Sequence, residues 1–144
     1  MKFRKARKEY IPQMVELIKT NSPKYPQNIV LQELNEMFSN SLVKPTYIIG
    51  EEKGKILAFG GYIYSWADNN IFNIFWVNVD SKYHGKGIGA ELIKELIARI
   101  KKSKNPKAKL ITLSCKIPSF YSKFGFKEIT QKYDRDYVLM GMKI

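Results

Sequence analysis

The stretch that most constrains this chain is a glycine loop between an apolar run and a helix-forming segment. The apolar run ends at Val79, and Gly85, Gly87 and Gly89 then alternate with other residues. After the loop, apolar residues recur with helical spacing: Ile88, Leu92, Ile93, Leu96, Ile97 and Ile100. This pattern predicts a strand, a loop and an amphipathic helix. Because a helix start has unpaired N–H groups and glycine allows close approach, we expect an anion site here.

Two common phosphate-binding motifs do not fit the loop. No Gly-Lys-Ser or Gly-Lys-Thr sequence closes it, which excludes the P-loop. The spacing that starts at Gly85 lacks the final glycine of a dinucleotide fingerprint, and no βαβ unit opens the chain. The glycine pattern alone therefore indicates an anion site without naming the ligand.

Two motifs together resemble the GNAT superfamily of N-acetyltransferases. His84-Gly85-Lys86-Gly87-Ile88-Gly89 resembles the family's Arg/Gln-x-x-Gly-x-Gly/Ala loop, with histidine at the first position. Phe120-Tyr121-Ser122-Lys123-Phe124-Gly125-Phe126 resembles its Phe-Tyr-x-x-x-Gly-Phe segment, in the expected place after the strand that follows the helix. The resemblance extends over almost the whole chain.

The order of predicted elements agrees with this resemblance. We expect a strand at 3–6, helices from Pro12 and after an Asn28 cap, and a hairpin of 46–50 and 56–64. Next come a strand at 71–79, the glycine loop and a helix at 87–102. They are followed by a strand at 110–115, a helix from Pro118 to Gly125, and strands at 126–133 and 137–144. The resemblance implies an α/β (α+β mixed) fold with about seven mostly antiparallel strands, one splayed parallel pair and about four helices. Gly60-Gly61 within a strand indicates a bulge or a close backbone approach.

Length and composition are those of a folded domain. The 144 residues, with 44% hydrophobic content, predict a single domain over 1–144. No apolar run approaches the length of a membrane span, and the N-terminus lacks the apolar part of a signal peptide. The one cysteine permits no internal disulfide, and we expect a cytoplasmic protein.

The net charge of +12 favours anionic partners. Lysines occur throughout the chain, with local clusters at 2–8 and 101–109. A solvated surface explains most of this charge, and a polyanionic cofactor explains part of it. Nucleic acid is not the expected partner, since no nucleic-acid-binding motif accompanies the charge.

The resemblance implies that the cofactor is acetyl-CoA and that the acceptor is an amine, with no metal. Strand residues would pair through their backbone with the pantetheine arm, and loop and helix residues would hold the pyrophosphate. The implied cofactor residues are Val77, Asn78, Val79, His84, Gly85, Lys86, Gly87, Ile88, Gly89 and Ala90. His84 is the only histidine, and its motif position indicates a phosphate contact or a loop anchor and not catalysis.

Tyr121 is the candidate general acid, because a phenol can protonate a departing thiolate. The general base is not evident, since Asn73 occupies the position where many relatives have glutamate. Asp68 and Glu51 or Glu52 are possible bases in the hairpins, although we expect them to be exposed turn residues. Cys115 is expected in the core, while Tyr64 and Trp66 suit either the acceptor site or an ordinary packing role.

Several alternatives stay open at this stage. The acceptor is a small amine, a protein amine or an aminoglycoside. A non-catalytic acyl-CoA-binding module, or a basic binder of nucleic acid or acidic protein that retains the fold, also agrees with the sequence. The segment 137–140 could pair across a homodimer.

Overall fold

A computed structural model describes residues 1–144, which form a seven-stranded sheet with helices on both faces. The strands are β1 (Lys2–Lys5), β2 (Thr46–Glu52), β3 (Lys55–Tyr64), β4 (Ile71–Val79), β5 (Leu110–Cys115), β6 (Lys127–Glu128) and β7 (Val138–Lys143). The helices are α1 (Ile11–Asn21), α2 (Gln27–Asn35), α3 (Ile88–Lys101) and α4 (Pro118–Ser122). Short 3-10 turns occupy Lys8–Tyr10, Glu36–Phe38 and Ser81–Tyr83. No helix is long and apolar enough to span a bilayer.

The sheet order is β1-β2-β3-β4-β5-β7-β6, and only β4 and β5 run parallel. Their pairing covers three positions, from Ile71–Leu110 to Asn73–Thr112, and then stops. The Asn73 side chain donates to the carbonyl oxygen of Thr112 at 3.2 Å and to its hydroxyl at 3.1 Å. The predicted mixed fold with a splayed parallel pair is confirmed.

Two apolar cores lie on opposite faces of the sheet. The periodic face of α3 is fully buried against one face, with Leu92, Ile93 and Leu96 at 0% exposure. On the other face, α1 and α2 bury Met14, Ile18 and other apolar residues. Each Å² of apolar surface removed from water stabilises the fold by about 25 cal/mol, so burial in these two cores is the main stabilising contribution.

Gly60 and Gly61 allow close packing on the two faces of β3. A Cβ at Gly60 would lie 2.8 Å from Leu96 Cδ1 of α3, and one at Gly61 would lie 2.8 Å from Tyr47 Cε1. The β3–β4 register shifts between Phe59 and Gly61, which places an extra residue in β4 opposite Gly60. Trp76 lies in this bulge with a φ of 50°. Both readings of the Gly-Gly pair, a bulge and a close approach, are confirmed.

Two local predictions were wrong. The predicted strand at 126–133 is reduced to Lys127–Glu128, because the N–H groups of Ile129 and Thr130 both donate to the Leu139 carbonyl and break the ladder. Asn28 does not cap α2. The helix begins at Gln27, and the carbonyl of Pro26 accepts the N–H groups of Ile29 and Val30.

The β7 segment considered for pairing across a dimer is occupied on both edges within the chain. Leu139 and Met140 pair with Ser114 and Leu113 of β5 on one edge. On the other edge they pair with the β6 region, through Glu128 and the bonds to Leu139 described above. Strand pairing through this segment would therefore have to displace β6.

Candidate functional site

A cleft of about 360 Å³ opens where β4 and β5 diverge. Residues 74–78 of β4 form one wall, and residues 113–115 of β5 with the following Lys116 form the other. Ile117, Phe120 and Tyr121, together with Ser22 and Tyr137, complete the lining. Beyond Asn73, β4 keeps only β3 as a partner, so its backbone on the cleft side is free of strand pairing. Such an edge can accept an extended ligand as an added strand.

The glycine loop reaches one end of this cleft. Gly85 and Gly87 have φ angles of 79° and 82°, and a Cβ at either position would meet no atom within 4 Å. Their left-handed backbone favours glycine, and the open space allows a ligand to approach the main chain. Gly89 lies in the first turn of α3, beside the cleft wall, since a Cβ there would lie 3.6 Å from Phe120 and 3.7 Å from Val79.

The start of α3 fits an anionic group. Gly87 is the N-cap and provides no side-chain cap, so the amides of Ile88, Gly89 and Ala90 have no side-chain partner. The positive end of the helix dipole and the Lys86 ammonium add favourable potential for a phosphate. The Lys86 ammonium lies 5.3 Å from the centre of the Tyr83 ring. These residues therefore fit the diphosphate of the implied cofactor.

His84 anchors the loop to the end of β4. Its Nε2 lies 2.8 Å from the carbonyl oxygen of Val79, and an N–H at Nε2 donates this bond. The Asn21 side chain donates to the same carbonyl at 2.9 Å. Both acceptor positions of the Val79 carbonyl are therefore used within the chain. This bond agrees with the loop-anchor role considered for His84, and the phosphate contact stays a prediction.

Tyr121 lies in the cleft wall with its hydroxyl free of partners in the chain. Its ring packs edge-to-face on Phe120 at 5.0 Å and on Phe126 at 6.2 Å. Burial, with a smaller contribution from Cys115, raises the pKa of Tyr121 to about 12. The phenol is thus protonated at neutral pH and can donate a hydrogen bond or a proton into the cleft.

The comparisons with known proteins agree with this geometry. A family model for the acetyltransferase (GNAT) domain matches residues 44–128, more than half of the chain. The chain belongs to the GNAT acetyltransferase family. No curated protein sequence matches it significantly.

Solved GNAT structures share the complete fold. An aminoglycoside 6'-N-acetyltransferase complexed with coenzyme A superposes with a TM-score of 0.81 at 14% identity, covering 99% of this chain and 97% of that chain. A ribosomal-protein-alanine N-acetyltransferase from Brucella melitensis gives 0.77 at 16% identity, covering 100% of both chains. A GNAT acetyltransferase from Staphylococcus aureus Mu50 gives 0.76 at 21% identity, covering 99% and 98%. At these identities the similarity establishes the fold.

None of the carboxylates considered as bases lines the cleft of this GNAT acetyltransferase. Glu51 is not an exposed turn residue as predicted, because it forms an ion pair with Arg4 at 2.7 Å and is only partly exposed. Asp68 is exposed and accepts the N–H of Asn70 in a turn. Asn73 joins β4 to β5 instead of facing the cleft. Cys115 is buried with its Sγ 3.4 Å from Met140 Sδ, which confirms its place in the core.

The sequence did not predict the contacts that hold Trp76 in the cleft wall of this GNAT domain. The Trp76 indole N–H donates to Glu33 of α2 at 3.3 Å, and its ring packs edge-to-face on Tyr25 at 4.8 Å. The buried Asn78 donates to the Trp76 carbonyl at 3.1 Å and accepts from Asn21 of α1. The feature that draws attention to this wall is structural: Trp76 has a positive φ angle, which is unusual for a tryptophan. Tyr64 and Trp66 do not line the cleft.

Proposed function

We propose that this protein transfers an acetyl group from acetyl-CoA to a primary amine by direct attack within a ternary complex. The observation that carries the proposal is the cleft at the β4–β5 divergence, which adjoins an uncapped helix start and contains a protonated tyrosine. The unpaired β4 edge supplies backbone partners for an extended amide chain, and the loop supplies a phosphate site.

The binding residues proposed for acetyl-CoA divide into two groups. Val77, Asn78 and Val79 offer the strand edge, although the Val79 carbonyl is already engaged by His84 and Asn21. The amides from Gly85 to Ala90 and the Lys86 side chain hold the diphosphate. His84 acts indirectly, by fixing the loop against β4. Bound acetyl-CoA supplies an activated acetyl thioester.

Tyr121 is proposed as the proton donor of the reaction. Its hydroxyl holds a proton in the cleft, and the chemistry needs one proton for the sulfur as the C–S bond breaks and the C–N bond forms. The attacking amine must be neutral and loses one proton overall. The cleft lining includes Lys116 and no carboxylate, so the local charge favours the neutral form of an amine. Water accepts the proton that the amine loses, with no assigned base, and Tyr121 regains its proton from solvent.

The acceptor remains one of three amine classes: a small amine, a protein amine or an aminoglycoside. Like charges repel, and Lys116 in the cleft disfavours a polycationic acceptor such as an aminoglycoside. The absence of a carboxylate from the lining also supports a second candidate, a module that binds acyl-CoA without turnover.

The decisive experiment is isothermal titration with acetyl-CoA and with CoA. Gly87→Glu places a carboxylate where the diphosphate is proposed to lie, and we expect it to weaken binding at least about 100-fold. Gly54→Glu is the matched control, because Gly54 has a similar φ of 78° and the same open space but lies in the β2–β3 turn. It carries the same charge change and similar backbone strain, and we expect it to bind like the wild type.

Failure of the wild type to bind acetyl-CoA would overturn the proposal. Equal weakening in both variants would show that strain or net charge, and not the loop, governs binding. A protein that binds but acetylates no member of an amine panel would instead match the non-catalytic candidate.

A further inference from the structure

A second pocket, of about 380 Å³, lies at the other end of α3 from the glycine loop. The helix has 14 residues, which separate its two ends by about 20 Å. The pocket lies where β1 ends, β2 begins and α3 turns into the following loop. Its lining comprises Lys5, Lys44, Thr46, Tyr62, Ile63, Tyr64, Phe72, Arg99, Lys102, Ser103, Asn105 and Pro106.

The charged side chains that line this pocket are all cationic: Lys5, Lys44, Arg99 and Lys102. Arg99 is paired with Glu95 at 2.8 Å, one turn earlier on α3. Lys5, Lys44 and Lys102 form no ion pair. The pocket therefore concentrates positive charge that the chain itself does not neutralise.

The fold brings together two lysine clusters that are far apart in the sequence. Lys5 belongs to the cluster at 2–8, and Lys102 belongs to the cluster at 101–109. Cations in the last turn of a helix complement its dipole, which accounts for Arg99 and Lys101. That explanation does not extend to Lys5 and Lys44, which come from other segments. Placing like charges on one concave surface is unfavourable until an anion binds.

Aromatic rings add a second kind of contact. Tyr62 and Tyr64 are partly exposed in the pocket, and the buried Phe72 supports both, with ring centres at 6.4 and 5.9 Å. Thr46 pairs with Tyr62 across the β2–β3 ladder and so lies beside it in the pocket. Rigid aromatic surfaces beside cations can stack a nucleobase while the cations hold its phosphate.

We propose that this pocket binds the phosphate of a nucleotide, either free or within single-stranded nucleic acid. Lys5 and Lys102, which form no ion pair, contact the phosphate, and Tyr64 offers a face to the base. The concave shape and the volume are those of a small-ligand pocket, which favours this ligand over the flat face of an acidic protein. The pocket is separate from the cleft, so the proposal does not depend on the acetyltransferase reaction.

The test measures fluorescence anisotropy of a labelled oligo-dT of about 12 nucleotides at about 50 mM salt. All measurements are made in the Gly87→Glu background, in which the loop carries a carboxylate, so that the cleft does not contribute and no CoA, itself a nucleotide, is added. ATP as competitor distinguishes a free nucleotide from single-stranded nucleic acid as the source of the phosphate. The variant is Lys5→Gln/Lys102→Gln.

The matched control is Lys53→Gln/Lys94→Gln, which removes the same charge from the β2–β3 turn and the middle of α3. We expect the pocket variant to lose at least about tenfold in affinity and the control to change less than about twofold. Displacement by ATP identifies a nucleotide pocket, and resistance to ATP identifies single-stranded nucleic acid; either result supports the proposal. Equal losses in the two variants, or no binding of either probe to the Gly87→Glu parent, would overturn it.

Discussion

At the scale of single residues, Tyr121 combines three properties of a proton donor. It lines the cleft, its hydroxyl has no partner in the chain, and its raised pKa keeps it protonated. We predict that Tyr121→Phe lowers kcat about 100-fold while acetyl-CoA binding and stability stay close to those of the wild type. Steady-state kinetics with an accepted amine, together with titration calorimetry, measure both effects.

Tyr137→Phe is the matched control, since Tyr137 lines the same cleft. As the pH rises, the wild-type rate should increase because the amine loses its proton. The pKa of Tyr121 is raised to about 12, so no decrease in rate is expected until the pH exceeds about 11. A phenol with the ordinary pKa would begin to lose activity about one to two pH units earlier. Unchanged kcat in Tyr121→Phe would remove this residue from the mechanism.

Local motifs made some residues of the site predictable and left others hidden. Gly85, Gly87 and Tyr121 belong to short patterns whose spacing carries the signal. The bonds between Asn21 and Asn78 and between Glu33 and Trp76 join residues more than 40 positions apart. Such contacts depend on how α1 and α2 pack on the sheet, and no local periodicity encodes them.

At the scale of secondary-structure elements, side chains pack closely against both faces of β3 because Gly60 and Gly61 have no Cβ atom. A Cβ at Gly61 would lie 2.8 Å from the Tyr47 ring and 3.1 Å from Phe75. Both rings are packed edge-to-face at 5.8 Å and cannot move independently. We predict that Gly61→Ala lowers the free energy of unfolding by about 1–3 kcal/mol, as overpacking does.

Gly89→Ala is the matched control for urea unfolding of this variant. Its Cβ would meet only ordinary contacts at 3.6 and 3.7 Å, and its residue is helical. Replacing glycine by alanine within a helix should raise stability by about 0.5–1 kcal/mol. The two substitutions add the same methyl group and are expected to have opposite signs. Gly61→Ala within about 0.5 kcal/mol of the wild type would contradict the packing argument.

Element prediction succeeded where burial is continuous and was wrong at the edge of the sheet. The strands at 71–79 and 110–115 have the predicted bounds. Both lie inside the sheet, and their sequences are continuously apolar or alternate between apolar and polar residues. The strand at 126–133 is β-rich in composition, but it lies at the sheet edge, where one partner strand must sustain it. Two N–H groups sharing the Leu139 carbonyl end the pairing there.

At the scale of the whole molecule, the composition predicted a basic protein but not where its charge lies. The glycine loop and the basic pocket are at opposite ends of α3, and the pocket collects cations from β1, from the segment before β2 and from the end of α3. The separation means that substitutions in the loop and in the pocket can be tested independently of each other. This arrangement follows from the path of the chain and was not visible in a lysine count.

The stability of the molecule should be sensitive to alkaline pH through its buried tyrosines. Tyr47 is 1% exposed, and its hydroxyl donates to the Glu33 carbonyl at 2.9 Å. Burial, with the nearby charges of Glu33 and Glu36, raises the pKa of Tyr47 well above its ordinary value. Above about pH 10 the unfolded chain loses this proton while the folded chain keeps it. The contribution of Tyr47 to the free energy of unfolding is therefore fully present below about pH 10 and decreases as the pH rises further.

We predict that Tyr47 alone contributes a slope of about −1.4 kcal/mol per pH unit above about pH 10, measured by urea unfolding at closely spaced pH values. Tyr47→Phe should remove this part of the slope, although it also loses one hydrogen bond, which costs about 1 kcal/mol at every pH. The two effects separate because only the first depends on pH. Tyr133→Phe makes the same change of side chain at an exposed position and is the matched control for the substitution itself. A Tyr47→Phe variant with the wild-type slope would show that burial of this hydroxyl does not govern alkaline stability.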